Sequence, residues 1–102
     1  MKLTGVYTAL VTPFTEKGEV NFEVLGELLE GQIAAGVSGV VPMGTTGESP
    51  TMSNAEHDEV IRYTVEKIAG RVQVWAGTGS NNTAQAIRTT TEAAKAGVDG
   101  AL

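Results

Sequence analysis

Short apolar runs alternate along this chain with amphipathic stretches that each close on a glycine, and nothing else in the sequence restricts its fold so tightly. Val6-Tyr7-Thr8-Ala9-Leu10-Val11-Thr12 is rich in strand formers and ends at Pro13. Asn21 can cap a helix whose apolar residues Phe22, Leu25, Leu29 and Ile33 recur at helical spacing, with Gly36 as its stop. Gly26 and Gly31 each weaken that helix by about 1 kcal/mol relative to alanine, so its apolar face must be held by packing. Val40-Val41-Pro42-Met43 reads as a second strand, too uniformly apolar to be half exposed. Ser53-Asn54-Ala55-Glu56 has the form of a capping box and opens a helix through Val60, Ile61, Val65 and Ile68 to Gly70. Val72-Gln73-Val74-Trp75-Ala76 is a third strand. Asn82 with Gln85 then starts a third helix, its face drawn through Ile87, Thr91 and Ala94 and its end set by Gly97. Val98-Asp99-Gly100-Ala101-Leu102 begins a fourth strand.

The order β-α-β-α-β-α-β calls for a parallel sheet covered by helices. Ala35-Gly36-Val37-Ser38-Gly39 is echoed in Ala96-Gly97-Val98-Asp99-Gly100, the mark of one repeating unit. Periodicity leaves two architectures open, a doubly wound sheet and an eight-stranded barrel. Length favours the barrel: 102 residues hold three and a half units of roughly 30 residues each, and eight such units give the ~250 residues of a (β/α)8 barrel. On this reading residues 1–102 are the N-terminal part of a single α/β domain of the TIM-barrel type. Three βα units and the start of strand four are present, and the chain stops before the barrel closes. An unpaired fourth strand is a poor place for a complete protein to end.

Composition removes several function classes. Hydrophobic residues make up 41% of the chain and charged residues 19%, the balance of a packed domain rather than a disordered one. A formal net charge of −5 disfavours nucleic acid and anionic membrane surfaces as partners, although successive backbone N–H groups can still hold a small carboxylate. Without cysteine there are no disulfides and no thiolate metal sites. Met1-Lys2-Leu3-Thr4-Gly5 lacks the apolar core of a secretion signal, and no run reaches the ~18 apolar residues of a membrane helix. A cytoplasmic protein is the expectation.

In parallel α/β folds, ligands bind beyond the C-terminal ends of the strands. Two such ends are rich in glycine and hydroxyl groups: Gly44-Thr45-Thr46-Gly47-Glu48-Ser49 and Gly77-Thr78-Gly79-Ser80-Asn81-Asn82-Thr83. Glycine lets the backbone turn sharply and approach a ligand, while N–H groups and threonine hydroxyls are donors for an anion. A tight structural connection has the same composition, so spacing leaves both readings open. Nucleotide motifs fail here. Gly39 to Thr46 has P-loop glycine spacing, but Thr45 stands where the lysine is needed. Asn82 replaces the third glycine of the dinucleotide fingerprint that Gly77-Thr78-Gly79 begins. His57 has no second histidine at helical spacing, so a solvated helix residue is expected rather than a metal ligand. Trp75 is expected in the core or packed against a helix, Tyr7 and Tyr63 as packing residues rather than acids, and Glu48 either orients its loop or caps a helix.

Gly44-Thr45-Thr46-Gly47-Glu48-Ser49-Pro50-Thr51, followed by Glu56-His57, resembles the signature loop of the dihydrodipicolinate synthase family of pyruvate-dependent Schiff-base aldolases. Gly5 through Pro13, Ala76-Gly77-Thr78-Gly79-Ser80-Asn81 and Gly97 through Leu102 are similar to the same family in order and spacing. The Thr-Thr pair favours this family branch over N-acetylneuraminate lyase, which usually carries Ser-Thr. The likeness covers the whole chain but only the first third of a family member.

That resemblance implies a lyase condensing pyruvate with aspartate semialdehyde on the diaminopimelate path to lysine, through a lysine Schiff base and with no metal or organic cofactor. It implies that Thr45 and Thr46 receive the pyruvate carboxylate, and that the Thr45 hydroxyl links two tyrosines in a proton relay. It also implies a homo-oligomer, usually a tetramer, because one relay tyrosine comes from a neighbouring subunit. Positions matching a lysine-effector site are Ser49, His57, Asn81 and Gln85, where Gln85 replaces a glutamate and Asn54 a histidine. The departures are large. None of Lys2, Lys17, Lys67 or Lys95 matches the nucleophile, and neither Tyr7 nor Tyr63 matches a relay tyrosine. Two other readings stand beside this one: a sialic- or sugar-acid aldolase of the same family, and a non-catalytic partial barrel that self-associates.

Overall fold

The computed structural model describes residues 2–102. Strands β1 (Tyr7–Ala9), β2 (Gly39–Val41), β3 (Gln73–Ala76) and β4 (Gly100–Ala101) form one parallel sheet in the order β1-β2-β3-β4. Between them run α1 (Phe22–Ala34), α2 (Asn54–Ile68) and α3 (Thr83–Ala96). A doubly wound sheet reverses its strand order partway. Here every strand pairs with the next, which is the order of a barrel, and the fold is a partial (β/α)8 barrel.

Each helix begins where its cap predicts. The Asn21 and Asn82 side-chain oxygens accept from Val24 N and Gln85 N, both at 3.1 Å. Ser53 and Glu56 complete a reciprocal capping box, at 3.2 and 2.9 Å. The core lies between one face of the sheet (Leu10, Val40, Val74, Ala76) and the facing sides of α1 and α2, including Leu25, Leu29, Val60, Ile61 and Ile68. Gly26 is buried beneath Tyr63, which tilts against Phe22 at 5.1 Å. The glycine that costs the helix propensity thus admits a neighbouring ring.

Three expectations are corrected. The inward face of α3 is Thr89 and Ala93, while Ile87 is 63% exposed and Thr91 and Ala94 face outward. Small side chains win here, because the Thr89 hydroxyl is satisfied by the Gln85 carbonyl one turn back. Helix α2 reverses one residue earlier than Gly70, at Ala69, which takes the left-handed conformation itself. The second strand ends at Val41, and Met43 has φ 60, outside any strand conformation. Trp75 lies on the opposite sheet face from Val74 and Ala76, edge-on to Tyr7 at 6.4 Å.

Candidate functional site

Beyond β2 the chain makes two consecutive 3₁₀ turns, Thr45–Gly47 and Ser49–Thr51, joined by Glu48 in the left-handed conformation. Glu48 is therefore the joint of the loop rather than a helix cap supplied by its side chain. Gly47 N donates to Gly44 O at 3.0 Å and Glu48 N to Thr45 O at 2.9 Å. Thr45 and Thr46 are exposed at the start of the first turn, where the amides have no partner within the turn. The turn thus exposes two threonine side chains beside two amides for which no acceptor is found among the described residues.

The neighbouring strands hold this turn in place. From the β1 side, the Thr12 hydroxyl donates to Gly47 O at 2.7 Å. From the β3 side, Gly77 N donates to Pro42 O at 2.9 Å. Gly77 sits so close that a Cβ there would fall on the Met43 carbonyl and lie 2.7 Å from Gly44 N. Thr78 and Gly79 in turn donate to Leu102 O, at 2.9 and 3.2 Å, tying the third strand's loop to the fourth strand.

Behind the turn lies a pocket of about 410 Å³ that brings Ser49, His57, Asn81 and Gln85 together, with Asn54 and Thr89. The Gln85 side-chain amide donates to the Asn54 side-chain oxygen, so these two groups already satisfy each other. His57 is only 7% exposed, against the expectation of a solvated residue. Its Nε2–H donates to Gly77 O at 2.8 Å, which leaves Nδ1 as the unprotonated nitrogen, buried 3.8 Å from Asp58 Oδ1 and with no hydrogen-bond partner among the described residues. Burial holds its pKa below the ordinary histidine value, against smaller upward pulls from the Gly77 carbonyl and Asp58. Asp58 is itself held by a two-pronged contact from Arg88, at 3.1 and 3.3 Å. Sequence reading missed Thr12 and the carbonyl of Gly77. Both lie in stretches that resemble the family, but no local pattern pairs them with partners that sit on other elements.

Lys67 and Lys95 sit on α2 and α3 facing Glu30 and Glu92, at 3.7 and 3.2 Å. Among the described residues no cluster of carboxylate, histidine or cysteine side chains could hold a metal ion, and no helix is long and apolar enough to cross a membrane.

Strand order and turn together define a class: a (β/α)-barrel segment that offers a donor-rich loop at the C-terminal end of its second strand. The model of the dihydrodipicolinate synthetase family matches residues 2–102, and the chain belongs to that family. Over 102 residues it is 55% identical to the 4-hydroxy-tetrahydrodipicolinate synthase of Nitratidesulfovibrio vulgaris, covering 100% of this chain and 35% of that protein. Among solved structures it is similar to the 4-hydroxy-tetrahydrodipicolinate synthase of Methylacidiphilum fumariolicum, at 51% identity and a TM-score of 0.95, covering 98% of this chain and 33% of that one. A chloride-inhibited dihydrodipicolinate synthase from Acinetobacter baumannii, solved with pyruvate, is similar at 38% identity and a TM-score of 0.95, covering 98% of this chain and 34% of the other. The chain thus spans about a third of the length of the relatives it matches.

Proposed function

We propose that residues 1–102 are the N-terminal part of a single barrel domain that condenses pyruvate with L-aspartate 4-semialdehyde, and that the Gly44–Ser49 turn takes the pyruvate carboxylate. The observation that carries this reading is the turn itself. Two exposed threonines with free leading amides stand at the ligand end of β2, in a chain of this family.

The chemistry needs a lysine from elsewhere in the full-length protein. Its amine adds to the pyruvate ketone carbon, water leaves, and a protonated imine remains. Loss of a methyl proton into that imine gives an enamine, whose carbon attacks the aldehyde of the second substrate. In this scheme the amides of Thr45 and Thr46 fix the carboxylate, and the Thr45 hydroxyl passes protons between two tyrosines outside this segment. The imine is the electron sink, so no metal or organic cofactor enters the scheme. A relay shared between subunits makes the working form a homo-oligomer, a tetramer by family likeness. Both substrates in this scheme are small, polar and water-soluble, which supports a cytoplasmic site for the reaction.

The pocket behind the turn serves as an effector site for lysine. Ser49, His57, Asn81 and Gln85 line it, which supports that role. Gln85 supplies no negative charge for an ammonium group, which supports weak sensitivity.

Borohydride reduction in the presence of pyruvate tests the central reading. The full-length protein should gain one pyruvate-derived adduct at a lysine outside residues 1–102, and the isolated segment none. A full-length protein that traps no pyruvate would overturn it.

A further inference from the structure

Thr12 closes the strand-forming run that opens the chain, and neither composition nor spacing gives it a role. Its side chain is 6% exposed, and its hydroxyl reaches across 35 positions of sequence to the Gly47 carbonyl, at 2.7 Å. The fit is close on the other side as well. A Cβ on Gly47 would stand 3.1 Å from that hydroxyl and 3.2 Å from Leu10 O.

The turn that Thr12 holds is flanked by Met43 at φ 60 and Glu48 at φ 65, a region that side chains disfavour. Such backbone persists only where its surroundings fix it. The peptide between Gly47 and Glu48 is tied at both ends: its oxygen accepts from Thr12, and its N–H donates to Thr45 O at 2.9 Å. That second bond turns the Thr45 carbonyl inward. In a trans peptide the carbonyl and the following N–H point in opposite directions, so the Thr46 amide faces outward.

We propose that Thr12 is a positioning residue, which sets the outward orientation of the Thr46 amide through the Gly47–Glu48 peptide. This inference rests on the reading that the turn binds the pyruvate carboxylate. Thr12 touches no substrate in this scheme, so its loss acts on pyruvate affinity rather than on the chemistry of the second substrate.

The test compares Thr12→Val, which keeps the shape and removes the donor, with Thr12→Ser, which keeps the donor, both in the full-length protein. Thr12→Val is expected to raise KM for pyruvate about tenfold, the scale of one hydrogen bond, with KM for the aldehyde unchanged and Thr12→Ser near wild type. A purely structural threonine would lower Tm without that split between the two KM values. If Thr12→Val does not fold, Thr12→Cys, a weak donor of similar size, gives the same comparison with serine. A folded variant whose pyruvate KM stays within about twofold of wild type, or a serine variant no better than the donorless one, overturns the role. Wild-type protein that traps no pyruvate with borohydride overturns the proposed function and this role together. Trapping with an unchanged KM overturns this role alone.

Discussion

Gly77→Ala is a clean probe of how the third strand supports the turn on the second. Gly77 has no left-handed φ, so alanine can adopt its backbone conformation and only space opposes the substitution. The added Cβ meets the backbone of one peptide, the Met43 carbonyl and Gly44 N, the latter at 2.7 Å. Neither is the flexible end of a side chain, so the Met43–Gly44 peptide must retreat by about 1 Å to restore van der Waals contact. Thr45 and Thr46 follow directly in the chain and move with it. Misplacing a binding group by that much costs on the order of 10²-fold in rate, and the overpacking itself costs about 1–3 kcal/mol of stability. The assay is steady-state kinetics on the full-length protein at varied pyruvate, with Tm measured alongside. Gly79→Ala is the control, since its Cβ would find only Leu102 O, at 3.8 Å. The expected outcome is a kcat/KM for pyruvate about 10²-fold lower in Gly77→Ala and near wild type in Gly79→Ala. If a folded Gly77→Ala protein keeps the kinetics of the control, the turn is not braced by β3 as argued.

Gly31→Ala should stabilise the protein by about 0.5–1 kcal/mol, because nothing lies within 4 Å of the new methyl; Gly26→Ala should give no such gain, since its Cβ would meet the Tyr63 hydroxyl at 2.5 Å. Denaturant midpoints of the two variants decide this, and equal gains would refute the packing role given to Gly26. With the folded-state pKa of His57 held below 6.5, the unfolded chain takes up the proton first as pH falls, so the stability that neutral His57 contributes is full above about pH 6.5 and fades below it. The stability gap between wild type and His57→Gln should therefore narrow from pH 7.5 toward pH 5, and a gap independent of pH in that range counts against a buried neutral imidazole. Lysine should inhibit the wild type weakly, and Gln85→Glu should tighten inhibition by about 10-fold or more through a charge-assisted contact; strong inhibition that the substitution leaves unchanged counts against the assignment of Gln85.

The helix starts were legible because caps are local: Asn21, Ser53 with Glu56, and Asn82 each bond a backbone amide three residues on. The donor-rich turn was legible as composition, Gly-Thr-Thr-Gly, though not as geometry. What decides its geometry comes from residues distant in sequence that no local pattern names. Thr12 reaches it from β1, and Gly77 presses on it from β3. The same limit explains His57. On periodicity it is one polar residue near a helix start, and only the Gly77 carbonyl gives a buried imidazole a partner. The face of α3 was misread for a different reason. Hydropathy ranks Ile87 above Thr89, yet threonine can bond its own helix and pack closely, while Ile87 is left 63% exposed.

The echo between Ala35-Gly36-Val37-Ser38-Gly39 and Ala96-Gly97-Val98-Asp99-Gly100 has a physical content that the sequence alone did not reveal. In both copies the first glycine takes the left-handed turn after a helix, at φ 85 and 93. The valine packs against the core cluster in both. Ser38 and Asp99 then do one job with different chemistry: each side chain accepts from the amide at the start of the preceding strand, Val6 N at 3.3 Å and Val74 N at 2.8 Å. Each also donates its own amide to that residue's carbonyl, at 2.8 Å in both cases. The last glycine pairs with an aromatic residue one position further on, Tyr7 with Gly39 and Trp75 with Gly100, and a Cβ on either would strike the ring. Strands β1 and β3 therefore supply rings, and β2 and β4 supply the space they fill. Alternate strands filling one layer is how a barrel interior packs, and an open doubly wound sheet, with helices on both faces, has no need of it. The repeat that marks one recurring unit in the sequence is thus a packing rule, written once before β2 and once before β4.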